Sequence, residues 1–167
     1  MAKAWKAKGI YPQLSYRWNA QVILAVKIQE VYSWAESIRN PDNIKELHNL
    51  RISVKRLRYS MEFFTINYGK AFKDFLKVLE DLQEQLGDIH DCDVVEMVLT
   101  DYLKALPDQG DTETDAIGIN ALLLRYREMR KAKYEAFLQQ WDALEETDFK
   151  GQLLKIVTGK LGAAQSS

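Results

Sequence analysis

Apolar residues recur at three- and four-residue spacing along most of this chain, and the breaks in that rhythm divide it into helices. Over about 13–39, Ala20, Leu24, Ile28, Val31, Ala35 and Ile38 share one face of a first helix. Asn40-Pro41-Asp42 ends it, because proline disfavours helical backbone at the residue before it, and Asp42 is a suitable N-cap for the next helix. That second helix, 42–66, aligns Leu50, Val54, Leu57, Met61 and Phe64, and closes at Asn67-Tyr68-Gly69. A third, about 70–86, places Phe72, Phe75, Leu76, Leu79, Leu82 and Leu86 together. Gly87 then suits a left-handed C-terminal position and Asp88 a following cap, which predicts a tight turn and an antiparallel fourth helix. The fourth helix runs to about Leu106 with Val95, Val98, Leu99, Tyr102 and Leu106 inward, and Pro107 stops it. After an acidic loop, 108–115, a fifth helix over 116–145 aligns Leu123, Tyr134, Phe137 and Trp141, with Arg127 and Arg130 at the margin of the same stripe. Residues 148–158 add a short amphipathic segment.

The fold class that follows is all-α, an antiparallel helical bundle of about five main helices. Three prolines and eight glycines in 167 residues agree with long helices rather than a turn-rich sheet protein. One domain is expected over 13–158, preceded by a basic arm at 1–12 with Lys3, Lys6 and Lys8, and followed by a flexible tail at 159–167. The single cysteine, Cys92, excludes an internal disulfide and fits a reducing compartment. The longest aliphatic run, Val22 to Val26, is too short to cross a bilayer, and Met1 to Gly9 lacks the apolar core of a secretory signal. The expected location is the cytoplasm.

Charge changes this picture through its order rather than its total. The net charge is −1, yet residues 1–78 hold 14 Lys+Arg against 6 Asp+Glu, whereas residues 79–120 hold 1 against 12. This block pattern predicts one positive and one negative surface and argues against a generally basic nucleic-acid binder. The positive part concentrates in HNLRISVKRLRYSMEFF, residues 48–64. There His48, Arg51, Lys55 and Arg58 line one side of the second helix, a row about 15 Å long at the helical rise. Arg56 points elsewhere, toward solvent. No carboxylate lies between Leu47 and Met61, so the row's partners must come from outside it. Arg and Lys on successive turns can hydrogen-bond a line of phosphate oxygens, and His adds charge when protonated. A solvated helix face would show the same pattern. Arg127 and Arg130, with Arg125 and Lys131 nearby, favour the binding reading, because core-margin guanidinium groups need partners. Were the second and fifth helices neighbours, the two sets would form a groove for a linear polyanion.

A second candidate is GDIHDCD, residues 87–93. His90 and Asp91 with the distant His48 resemble the metal-dependent HD phosphohydrolases, the enzymatic alternative. Against it, Asp88 and Asp91 at a helix start would serve as caps, and Asp91 or Asp93 could pair a core-margin arginine. Tyr16, Trp18, Trp34 and Trp141 do not interleave with a basic run, so base stacking is disfavoured and a helical protein- or RNA-interaction module is the remaining alternative. There is no Gly-rich phosphate loop, nucleophilic triad or triphosphate-tunnel glutamate pattern, so neither a catalytic residue nor a cofactor is expected.

Together, HNLRISVKRLRYSMEFF and LEDLQEQLGDIHDCDV resemble the CHAD family, helical domains named for a histidine, through their LR, KRLRY and LGxxxDxDV elements. The fifth helix is similar to the family's last helix in its arginines, Phe137 and Trp141. The resemblance implies non-catalytic binding of inorganic polyphosphate in a basic helical groove. It implies His48, Arg51, Lys55, Arg56 and Arg58 as ligand residues, Arg127, Arg130 and Lys131 as the facing wall, and Asp91 and Asp93 as structural residues. Polyphosphate-metabolising enzymes and polyphosphate granules are the partners and location it implies. One LR-KRLRY block resembles half of the family's two-repeat fold, one four-helix repeat, so a two-fold homodimer is expected to complete the groove. His90 stands where the family commonly has arginine.

Overall fold

The computed structural model describes residues 3–106 and 112–159. They form five α-helices: α1 (Tyr16–Tyr32), α2 (Ile44–Phe64), α3 (Lys70–Ala105), α4 (Thr112–Glu146) and α5 (Phe149–Thr158), with 3-10 turns at Ser37–Arg39 and Thr65–Asn67. The chain is an all-α helical bundle. Helices α1 to α4 pack in succession, each on the next, and α5 returns to touch α1, α3 and α4. The apolar stripes converge on one core, in which Phe72, Phe137, Trp141, Leu50, Leu57 and Met61 are fully enclosed. Each such side chain stabilises the fold by roughly 1.5–3 kcal/mol relative to exposure.

The helix at 70–86 does not end at Gly87. Helix α3 passes through Gly87, so the expected turn and the caps at Asp88 and Asp91 are absent, and the third and fourth helices are one. The physical reason is phase. Leu79, Leu82, Leu86, Ile89 and Cys92 are buried in one unbroken helical rhythm, which outweighs a glycine's cost of about 1 kcal/mol in a helix interior. At the other extreme, α1 stops at Tyr32, short of Arg39. Ser33 Oγ donates to the Glu30 carbonyl at 2.7 Å, and the Trp34 indole N–H donates to Ser53 Oγ at 3.1 Å, drawing the chain into turns. Helix α4 begins at Thr112, inside the expected 108–115 loop. Pro107, residues 108–111 and the tail at 160–167 lie outside the described residues.

Two features frame the site. Glu30 is 1 % exposed and lies between α1 and α2, where its carboxylate receives Lys27 Nζ at 2.9 Å, Arg56 Nη1 at 3.0 Å and the Trp5 amide at 3.1 Å. The lead-in is therefore tied to α1 at Trp5, and again where Tyr11 and Asn19 exchange hydrogen bonds. The second feature is the far end of α3 and the near end of α4. Ile44, where α2 begins, shares a cavity with Val94 and Met97, so α3 beyond this level has α4 as its main neighbour. Val98 and Tyr102, expected inward, are consequently 56 % and 49 % exposed.

Candidate functional site

Helix α2 lies antiparallel along the middle of α3, and three contacts fix the register. Arg58 Nε donates to Gln83 Oε1 at 2.8 Å, Arg51 Nε stands 3.9 Å from where a Cβ on Gly87 would be, and the His48 and His90 rings lie 4.9 Å apart between centroids. The row His48, Arg51, Lys55 and Arg58 thus faces Gln83, Gly87 and His90, which occupy one side of α3 at i, i+4 and i+7. All four row residues are partly buried, with their apolar stems against the helices.

Their electrostatic states differ along the row. Arg58 is engaged: it pairs with Glu62 at 2.7 Å, approaches Glu80 at 4.0 Å and lies over the Tyr59 ring at 4.4 Å. Lys55 Nζ is 5.7 Å from the same ring centre. Toward the other end, Arg51 Nε and His90 Nδ1 are buried without a hydrogen-bond partner among the described residues. Burial, then the positive charges of His90 and Arg51, hold His48 below the usual histidine range. A cavity of about 550 Å³ opens here, lined by Ile44, Lys45, His48, His90, Asp93, Val94 and Met97.

Three expectations are corrected by this arrangement. Arg56 does not face solvent; the helical rotation carries it to the α1 side, where it binds Glu30. Helix α4 does not supply the facing wall, because α3 lies between α2 and α4. Its cations turn to α3 carboxylates instead: Arg127 to Glu96 at 2.7 Å, Arg130 to Asp93 and to the Pro41 carbonyl, and Lys133 to Asp88 at 2.6 Å. Arg125 and Lys131 are exposed. Third, the acidic block at 79–120 is not wholly a separate negative face along α3, since Glu80, Asp88, Asp93 and Glu96 answer cations on α2 and α4, while Asp81, Glu84 and Asp91 stay exposed.

Asp93 is joined to Arg130 as a strut between α3 and α4. Asp91 has an 80 % exposed side chain whose ion contact is with its own neighbour, 3.5 Å from His90 Nδ1, so no structural pairing is made there. The HD-like constellation is not assembled either: among the described residues no three His, Cys, Asp or Glu side chains are grouped to hold a metal ion. Sequence reasoning missed Gln83, Gly87 and His90 as a wall. Their spacing was visible, but the turn expected at Gly87 hid it.

The comparison with known families fits this α2–α3 pair. The CHAD domain matches residues 2–100, from the lead-in to near the end of α3. The chain belongs to the CHAD domain family. The matched stretch contains the whole α2 row and its α3 wall, while the CHAD match stops before α4, leaving Arg127, Arg130 and Lys131 outside it. No curated protein and no solved structure matches the chain.

Proposed function

We propose that this CHAD domain binds inorganic polyphosphate or a similar linear polyanion, without turnover, along the α2–α3 groove. The observation that carries the reading is the state of Arg51: its Nε is buried and unpartnered in a cleft beside Gly87, between His48 and Lys55. A buried donor left unmatched costs about 1–3 kcal/mol, and a phosphate oxygen would satisfy it. The bond would be charge-assisted, with Arg forks suited to phosphate. Lys55 extends the line, while Arg58 contributes after exchanging its carboxylates for phosphate. The α4 cations Arg127, Arg130 and Lys131 act at the margin, because two of them are already matched by α3.

The test is titration with polyphosphates of graded length. Arg51→Glu with Lys55→Glu should weaken binding by at least 100-fold with helicity unchanged, and Lys131→Glu by no more than about threefold, as expected for an exposed rim charge. By analogy with single-stranded polyanions, about three phosphate contacts give a slope near −2 in log affinity against log salt. Unchanged affinity in the Arg51/Lys55 double variant refutes the site.

A second reading concerns assembly, and the exposed apolar end of the α3–α4 hairpin favours it. We propose a two-fold homodimer through this end.

A further inference from the structure

We propose that His48 and His90, with Arg51, form a proton-coupled seat for a single phosphoryl group, so that the polyanion docks with uptake of a proton. This rests on the polyanion reading of the same groove and specifies its regulation.

The two rings come from different helices, lie tilted by 31° with centroids 4.9 Å apart, and both line the cavity. Neither ring is committed to a carboxylate by a hydrogen bond among the described residues, and the buried His90 Nδ1 has no acceptor. The charged neighbours are few and of mixed sign. From α2 they are Lys45 and Arg51; from α3, Asp91 at 3.5 Å from His90 Nδ1, and Asp93; from α4, Arg130, which holds Asp93, and Lys133, which holds Asp88. Since Asp93 is matched by Arg130, it does not offset the Arg51 charge at the pair. In the free protein, a proton on one imidazole is opposed by the other imidazole and by Arg51. A phosphate oxygen in the cleft reverses this, since an imidazolium would donate to it beside the vacant Arg51 Nε. At Gly87 a Cβ would have Arg51 Nε, 3.9 Å away, as its one neighbour within 4 Å, so no α3 side chain at that position stands over the nitrogen. The step moves one proton from a solvent or buffer acid to an imidazole nitrogen, so the donor's bond to that proton breaks and an N–H bond forms, with no change in any bond between heavy atoms.

The direction follows from linkage. His48 titrates below about 6.5 in the free fold and higher when phosphate is bound, so affinity rises as pH falls through the interval between the two values. One coupled proton allows at most about tenfold per pH unit. The internal phosphates of a long chain stay ionised over this range, so the ligand does not supply the dependence.

The experiment is calorimetric titration of the full chain with long-chain polyphosphate at pH 6.0, 6.75 and 7.5, each in two buffers of different ionisation enthalpy. The expected result is binding roughly five- to tenfold tighter at pH 6.0 than at 7.5, with proton uptake approaching one near neutrality. His48→Asn should weaken binding at pH 6.0 more than at 7.5 and so flatten the pH profile, whereas Lys131→Glu, on the exposed face of α4, should leave the shape of the profile unchanged. Tight binding with a flat profile in the unaltered protein overturns the proton-coupled seat and leaves the groove reading standing. An absence of binding at every pH overturns both.

Discussion

At the scale of single residues, the most consequential side chain outside the groove is Glu30. Burial alone would raise its carboxyl, but Lys27, the Trp5 amide and Arg56 outweigh that, and it titrates below the ordinary carboxylate range. Replacing it by Gln would leave two cations facing a neutral amide in a closed seam. The expected loss is about 2 kcal/mol, toward the lower range for breaking a buried ionic hydrogen bond because Arg56 keeps partial access to water. For a chain of this length that is a fall in Tm of roughly 4–8 °C, measurable by circular dichroism. Because its pKa is depressed on folding, Glu30 contributes its full stability above the unfolded value of about 4.3, and that contribution fades as pH falls through the lower folded value. The Gln variant should therefore show a shallower acid limb. The sequence exposes the i, i+3 pair of Lys27 and Glu30, but Arg56 is 26 residues from Glu30 and reads as a solvent residue until α1 is placed against α2. The α2 row itself is local, four residues on one helix face, and for that reason it is legible without a structure.

Among the elements, α3 is where local and non-local signals disagree. Gly87 followed by Asp88 has the chemistry of a helix end, whereas the buried stripe from Leu79 to Cys92 keeps one phase through it. Tertiary packing favours the second. This makes Gly87→Ala decisive. In an uninterrupted helix, with the nearest side-chain atom 3.9 Å from the new Cβ, alanine fits and should stabilise by about 0.5–1 kcal/mol in urea unfolding. At a left-handed turn the same change would destabilise. A larger side chain, Gly87→Leu, would instead fill the cleft beside Arg51 and should weaken polyphosphate binding. The apolar stripes of α2 and α4 are legible because each repeats over several turns. Which helix faces the basic row is not, because that depends on the bundle's order, and a single misplaced turn exchanges α3 for α4.

For the whole molecule, the unsettled surface is the outer end of the α3–α4 hairpin. Met97, Val98 and Tyr102 on α3 and Ile117 and Leu124 on α4 are 58 %, 56 %, 49 %, 65 % and 59 % exposed, and exposed apolar surface of this kind marks interaction sites where it is contiguous. A second copy is the occupant that suits this surface. Two antiparallel hairpins related by a two-fold axis place like faces together and make a four-helix arrangement around a shared apolar side. Val94 and Met97 also line the His48–His90 cavity, so the contact would stand beside the phosphate seat. Light scattering at micromolar concentration should give twice the mass of one chain. Met97→Asp with Ile117→Asp should return it to the mass of one chain without loss of helicity. A long polyphosphate could then engage two rows at once, its affinity exceeding that of a short one by more than the added contacts of one groove. In the dissociated double variant that extra length dependence should vanish while short-chain affinity stays. An unaltered chain that runs as a monomer with the same length dependence would reject the two-copy arrangement and leave each groove to act alone.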